Sequence, residues 1–187
     1  MTRPTELDVP TLVWHDPSLS PAVSLHRLDL ATIDALARGD LAAARVSSGL
    51  MLDPHLVADG SRGVWRVRST QIAEHPAHAP WITRALVLGG DVVGKAGFHG
   101  PPEPGTGMVE VGYSVAPERR RQGLGRAALR LMRAVAEHAP DARVLRATVS
   151  PGNVASRNLV LSEGLVEVGE QWDDEDGLEI VYEARLG

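Results

Sequence analysis

The stretch from Val111 to Arg126, reading Val-Gly-Tyr-Ser-Val-Ala-Pro-Glu-Arg-Arg-Arg-Gln-Gly-Leu-Gly-Arg, holds the clearest chemical pattern in the sequence. A strand running to Val115 is stopped by Pro117, a basic turn follows, and Gly123 and Gly125 flank Leu124 at the start of an amphipathic segment. The first turn of a helix presents unpaired N–H groups and the positive end of the macrodipole, and small residues let a phosphate come close to the backbone. Arg120, Arg121 and Arg126, with Gln122 between them, add charge and donors suited to a pyrophosphate or a ribose phosphate. The pattern lacks the Gly-Lys-Ser/Thr of a Walker loop and the third glycine of a dinucleotide fingerprint. Taken alone it equally describes a helix cap with a solvated basic face.

A second group lies downstream, where Asn153-Val154-Ala155-Ser156-Arg157-Asn158-Leu159 is followed by Glu163-Gly164-Leu165. Together the two groups resemble the acetyl-CoA signatures of the GNAT superfamily of N-acetyltransferases: Arg-x-x-Gly-x-Gly after a Val-x-Pro strand end, then an Asn-x-x-Ser helix ending in Gly-Leu where the family usually has Gly-Phe. The resemblance covers about residues 82 to 187, and Asn-x-x-Ser is closest to the ribosomal-protein N-terminal (RimJ/RimL-like) branch.

The resemblance implies acetyl-CoA as acyl donor, a primary amine as acceptor and direct transfer, with Ser114, Val115, the Arg120–Arg126 turn, Asn153 and Ser156 on the cofactor. An ammonium cannot attack, so a base must take its proton. Glu110 is the first candidate: it shares one strand face with Met108, Gly112 and Ser114, while Val109, Val111, Tyr113 and Val115 share the other. It also reads as a solvated strand residue. His99, at the end of the preceding strand, is the reserve base. Where many family members carry a tyrosine acid, this chain has Val160, so either the thiolate leaves unaided or Ser156 gives it a hydrogen bond. Ser156 also reads as a first-turn capping residue.

The elements that must position these groups follow from pattern. Ala31–Leu50, broken by Gly39-Asp40, predicts two short helices, and a further helix is expected from about Val64 to Glu74. Strands are expected at 82–88, 92–99 and 108–115, the first two joined by Gly89-Gly90-Asp91 turn chemistry. Then come a helix from Gly123 to His138, a strand at 143–149, a helix from Val154 to Glu163, and strands at 165–172 and 178–184. The helix after the basic turn shows Leu124, Ala128, Leu131 and Val135 on one stripe. The fold class is α/β: one domain with a central, mostly antiparallel mixed sheet of six to seven strands and helices on both faces. Residues 1–22, rich in Pro, Asp and Ser, are expected to form an extended or disordered arm before a domain at 23–187.

Composition bounds the rest. At 187 residues with 43% hydrophobic and 23% charged residues, the chain is a globular domain, and the absence of cysteine removes disulfides and thiolate chemistry. A net charge of −5 and no aromatics interleaved with Arg119–Arg121 argue against nucleic acid as partner. No apolar run reaches signal or membrane length, so a cytoplasmic monomer or homodimer is expected. Prolines around His75 and His78 disfavour a helix presenting both rings on one side, and no metal site is expected. The acidic run at 173–176 reads as a hairpin loop or as a lure for a cationic amine, and Trp65 and Trp81 as core or cleft wall. Two other functions compete with the enzyme: a catalytically silent acetyl-CoA sensor and a nucleotide-binding module unrelated to coenzyme A.

Overall fold

In the computed structural model, which describes residues 7–174 and 177–187, the chain runs β1 (Val13–His15), β2 (Val23–His26), α1 (Leu30–Arg38), α2 (Leu41–Ser48), α3 (Asp59–Glu74), β3 (Arg84–Leu88), β4 (Asp91–Phe98), β5 (Met108–Val115), α4 (Leu124–His138), β6 (Val144–Val149), α5 (Val154–Ser162), β7 (Val166–Asp173) and β8 (Gly177–Arg185). The strands form one eight-stranded sheet in the order β1-β2-β3-β4-β5-β6-β8-β7. Every neighbouring pair is antiparallel except β5 and β6. None of the helices among the described residues is long and apolar enough to cross a membrane.

Local chemistry sets the helix ends. Asp29 and Asp40 cap α1 and α2 by accepting from the amides of Thr32 and Ala43, and both helices stop at glycines in the left-handed region, Gly39 and Gly49. The helix α4 buries the expected stripe of Leu124, Ala128, Leu131 and Val135, joined by Ala127, Met132 and Ala136, against one face of the sheet. On the other face α1, α2 and α3 bury Ile33, Leu36, Ala44 and Trp65 against Ala85, Val87 and Val92. Each fully buried Leu, Ile or Val contributes about 1.5–3 kcal/mol, so two cores sandwich the sheet.

Three expectations change. The arm expected over residues 1–22 is, from Leu7 onward, part of the domain: Val13–His15 pairs with β2, and Trp14 is fully buried, edge-on to Phe98 at 5.6 Å with the Arg84 guanidinium 3.5 Å from its ring centroid. Its prolines and polar residues mask a strand only three residues long. Beyond the short strand expected near Ser24–Leu30, seen as β2, the sheet therefore gains β1 and has eight strands rather than six or seven. Lastly, α3 starts at Asp59 and not near Val64, because Gly60 and Gly63 are accommodated in its first turns.

Trp14→Ala should lower stability by about 3–5 kcal/mol, the usual range for removing a buried indole. A urea midpoint unchanged by this substitution would show that β1 is not part of the cooperative unit.

Candidate active site

The β5–β6 ladder is short. It joins Met108, Val109 and Glu110 to Val144, Leu145 and Arg146, after which β5 stays with β4 as far as Val115 and β6 stays with β8 as far as Val149. Beyond Glu110 the two strands separate, leaving the facing edge of β5 without a strand partner. A backbone edge of this kind, inside a sheet, is ready to pair with an extended ligand.

Two clefts meet at this separation. One, of about 740 Å³, lies on the α4 face and is lined by Ser114, Val115, Arg120, Arg121, Gly123, Leu124, Gly125, Arg126, Asn153 and Ser156, ten of the residues singled out from sequence. Gln122 is exposed in the same turn and does not line the cleft. The other, of about 860 Å³, lies on the α3 face and is lined by His55, Arg68, Lys95, His99 and Gly112 among others. Tyr113 and Ser114 line both.

The α4 cleft has the parts of an anion site. Gly123 occupies the N-cap with φ of 78°, and no side chain caps the first turn, so its N–H groups are open to a ligand. A Cβ on Gly125 would lie 3.4 Å from Leu159 and 3.6 Å from Tyr113, so glycine keeps the helix start close to the strand and to α5. Arg120 donates to the Val115 carbonyl at 3.2 Å, placing its charge beside the strand end. Arg126 is instead drawn to Glu163 at 3.0 Å, a carboxylate it shares with Arg130. These features fit a phosphate-bearing cofactor with an extended arm.

At α5, Asn153 caps the helix by accepting from the Ser156 amide at 3.2 Å. This leaves the Ser156 hydroxyl free for a different partner, the Tyr113 hydroxyl at 2.8 Å. Burial pushes the Tyr113 hydroxyl above the ordinary phenol pKa, against the opposing pull of that hydrogen bond, so it stays protonated. Val160 is fully buried in the core.

On the α3 side, Glu110 and His99 come together. The Glu110 carboxylate accepts from the Thr148 hydroxyl at 2.7 Å, across the vertex of the strand separation, and lies 3.5 Å from His99 Nδ1. A Cβ on Gly112 would stand 2.9 Å from His99 Nε2, so the ring crosses β5 where only glycine leaves space. Desolvation lowers the His99 pKa below the ordinary imidazole value; Glu110 opposes this and Arg68 reinforces it. A second imidazole, His55, contacts the Ser114 hydroxyl at 2.9 Å through Nε2, and burial together with Lys95 and Arg120 lowers its pKa also.

Sequence reasoning missed His55, Lys95 and Tyr113. Only Tyr113 carried a usable signal, being the single polar side chain on the apolar face of β5. Trp65 is core, whereas Trp81 is partly buried, edge-on to Phe98 at 5.5 Å. The rings of His75 and His78 stack 5.0 Å apart, with His78 Nδ1 3.1 Å from the Gln71 amide. Of the acidic run, Asp173 and Asp174 line the α3 cleft, while Glu175 and Asp176 lie outside the described residues.

Residues 50–162 match the model of the acetyltransferase (GNAT) family. No curated protein matches the sequence. Among solved structures, RimJ of Mycobacterium smegmatis in complex with CoA-disulfide is 21% identical, with 88% of this chain and 82% of that chain covered at a TM-score of 0.61. RimL, a ribosomal alpha-N-protein acetyltransferase in complex with coenzyme A, is 15% identical over 88% of this chain and 94% of its own, at 0.62. A ribosomal-protein alanine acetyltransferase from Vibrio fischeri is 15% identical over 88% and 93%, at 0.61. Identities this low show likeness of fold.

Because the Glu110 charge raises the His99 pKa, Glu110→Gln should lower it further. Titration of the His99 ring proton by NMR checks this, and an unchanged or raised value would separate the two groups.

Proposed function

Since the chain belongs to the acetyltransferase (GNAT) family and is an acetyl-CoA-dependent N-acetyltransferase, we propose that transfer takes place at the separation of β5 and β6, with the cofactor in the α4 cleft and the amine in the α3 cleft. The observation that carries this reading is the shared wall: Tyr113 and Ser114 line both clefts, so a donor on one face and an acceptor on the other meet there. Bound acetyl-CoA supplies a thioester whose carbonyl carbon accepts a neutral amine.

The first-turn amides of α4 with Arg120 and Arg121 are positioned to hold the phosphates, and the open edge of β5 from Gly112 to Val115 to hydrogen-bond an extended arm. His99 takes the proton of the attacking ammonium at Nε2, which faces Gly112. Its Nδ1 lies 3.5 Å from the Glu110 carboxylate, whose charge stabilises the imidazolium formed. The lowered pKa of His99 keeps the ring neutral, and so able to accept, at physiological pH. The Tyr113–Ser156 hydroxyl pair offers an O–H donor to the leaving sulfur, a place Val160 cannot fill. A thiolate is a weak enough base that a hydrogen bond suffices. No feature of the site favours a silent sensor. The acceptor is a primary amine of a small molecule or a protein N-terminus, the latter supported by likeness to ribosomal-protein acetyltransferases.

Calorimetry should show acetyl-CoA binding that Gly123→Glu abolishes, since the residue needs positive φ and the new carboxylate would face the phosphates. His99→Gln should reduce kcat by about 10²–10⁴-fold with acetyl-CoA affinity intact. In the wild type kcat/KM should hold to a pH below the ordinary imidazole value and fall only as pH drops through the lowered pKa of His99. If the variant retains both its rate and this acid limb, the base lies elsewhere.

A further inference from the structure

The wall of the α3 cleft contains two buried cations; Glu110 acts on Arg68 from a distance, and neither cation has a carboxylate within ion-pair reach among the described residues. Lys95, on β4, is 7% exposed and Arg68, on α3, is 8% exposed. The Lys95 ammonium has one hydrogen-bond acceptor, the Ser61 carbonyl at 3.5 Å, and lies 5.5 Å from the Trp65 ring centroid. Arg68 donates to the Thr83 hydroxyl, the Gln71 side-chain oxygen and the His99 carbonyl, all neutral. Among the described residues neither forms an ion pair. A cation withdrawn from water is retained at a cost of several kcal/mol unless a counter-charge arrives. Burial pushes the Lys95 amine down to about 8, and the neighbouring Arg68 adds to this. At neutral pH it is still mostly protonated.

We propose that the acceptor bears a carboxylate close to its amine, and that this carboxylate docks against Lys95 with Arg68 as the second positive charge. The inference rests on the α3 cleft being the acceptor side of the transfer site. Lys95 stands directly across from Ser114 in the β4–β5 register, one strand spacing of roughly 5 Å at the backbone, and its side chain carries the ammonium along the α3 cleft to the Ser61 carbonyl. An amine and a carboxylate separated by one to a few carbons span that gap. Asp173 and Asp174 also line the cleft, Asp173 near enough to act on His99, and their negative potential orients the ammonium end toward that histidine. The carboxylate can belong to a free amino acid or to an acidic side chain next to a peptide N-terminus.

The test follows coenzyme A thiol release at saturating acetyl-CoA. One arm compares glycine, β-alanine, 4-aminobutyrate and 5-aminopentanoate, each with its methyl ester. The other compares dipeptide amides beginning with or followed by Asp or Glu against those carrying Asn or Gln. In at least one arm the acid should exceed its neutral twin by about 10- to 100-fold in kcat/KM, the range of one charge-assisted contact. The arm that responds identifies the source. Lys95→Met, close in length and uncharged, should erase that preference through KM for the acceptor while acetyl-CoA affinity stays the same, and Lys95→Arg should retain part of it. Circular dichroism confirms folding; should Lys95→Met not fold, the wild-type twins and Lys95→Arg decide.

Equal rates for acid and neutral twins, a preference that survives Lys95→Met, or no turnover of any acid-bearing amine by protein that binds acetyl-CoA overturns the proposal. Failure of the wild type to bind acetyl-CoA overturns instead the transfer-site reading beneath it.

Discussion

The structure depends on a ladder that stops. Parallel pairing of β5 with β6 lasts for three residue pairs, and past Glu110 each strand is committed to its other neighbour. The β4–β5 contact is especially close: a Cβ at Gly94 would fall 2.1 Å from the Ser114 carbonyl oxygen, so β4 cannot carry a side chain at that position and β5 is held tight to it. On the other side, β6 is tied to β8 through six consecutive pairs. The Thr148–Glu110 hydrogen bond closes the vertex. Unpaired backbone in a sheet interior is unfavourable without water or a ligand to satisfy it, and here it is what lets clefts on opposite faces share Tyr113 and Ser114.

The two clefts attract negative charge by different physics. On the α4 side Arg120 and Arg121 are exposed, so their desolvation cost is small and each adds modestly to the field of the helix terminus. On the α3 side Lys95 and Arg68 are buried outside any ion pair among the described residues, where a charge is expensive and therefore selective. These charges also govern the histidines between the clefts. Lys95 and Arg120 help to lower His55, Arg68 helps to lower His99, and desolvation is the larger cause for both. Burial thus has the larger share in keeping both imidazoles neutral, the neighbouring cations add to it, and Glu110 and Asp173 oppose it at His99.

Much of this was legible in the sequence where a feature is local. The β5 alternation, the apolar stripe of α4 and the start of α5 at Val154 depend on residues a few positions apart, and they appear as read. Glu110 and His99 were both singled out, but their proximity depends on the β4–β5 register and on the missing Cβ at Gly112, neither of which leaves a mark in a single sequence. Lys95 was invisible for a related reason. In Asp-Val-Val-Gly-Lys-Ala-Gly-Phe a lysine reads as an outward-facing charge, and only the packing of α3 over that face buries it.

The start of α3 shows how a misread boundary and a hidden site can have one cause. Glycine costs about 1 kcal/mol relative to alanine inside a helix, so Gly60 and Gly63 argue against helix before Val64. Yet Gly60, Ser61 and Gly63 line the α3 cleft, and a Cβ on either glycine would meet nothing within 4 Å. The two glycines are therefore not required by close packing. What they provide is a stretch of cleft wall bare of side chains on either side of Ser61, whose carbonyl accepts from the Lys95 ammonium. Helix propensity is given up in the first turns of α3 where they border the cleft, so the residues that obscure the helix from sequence are also ones that line the cleft.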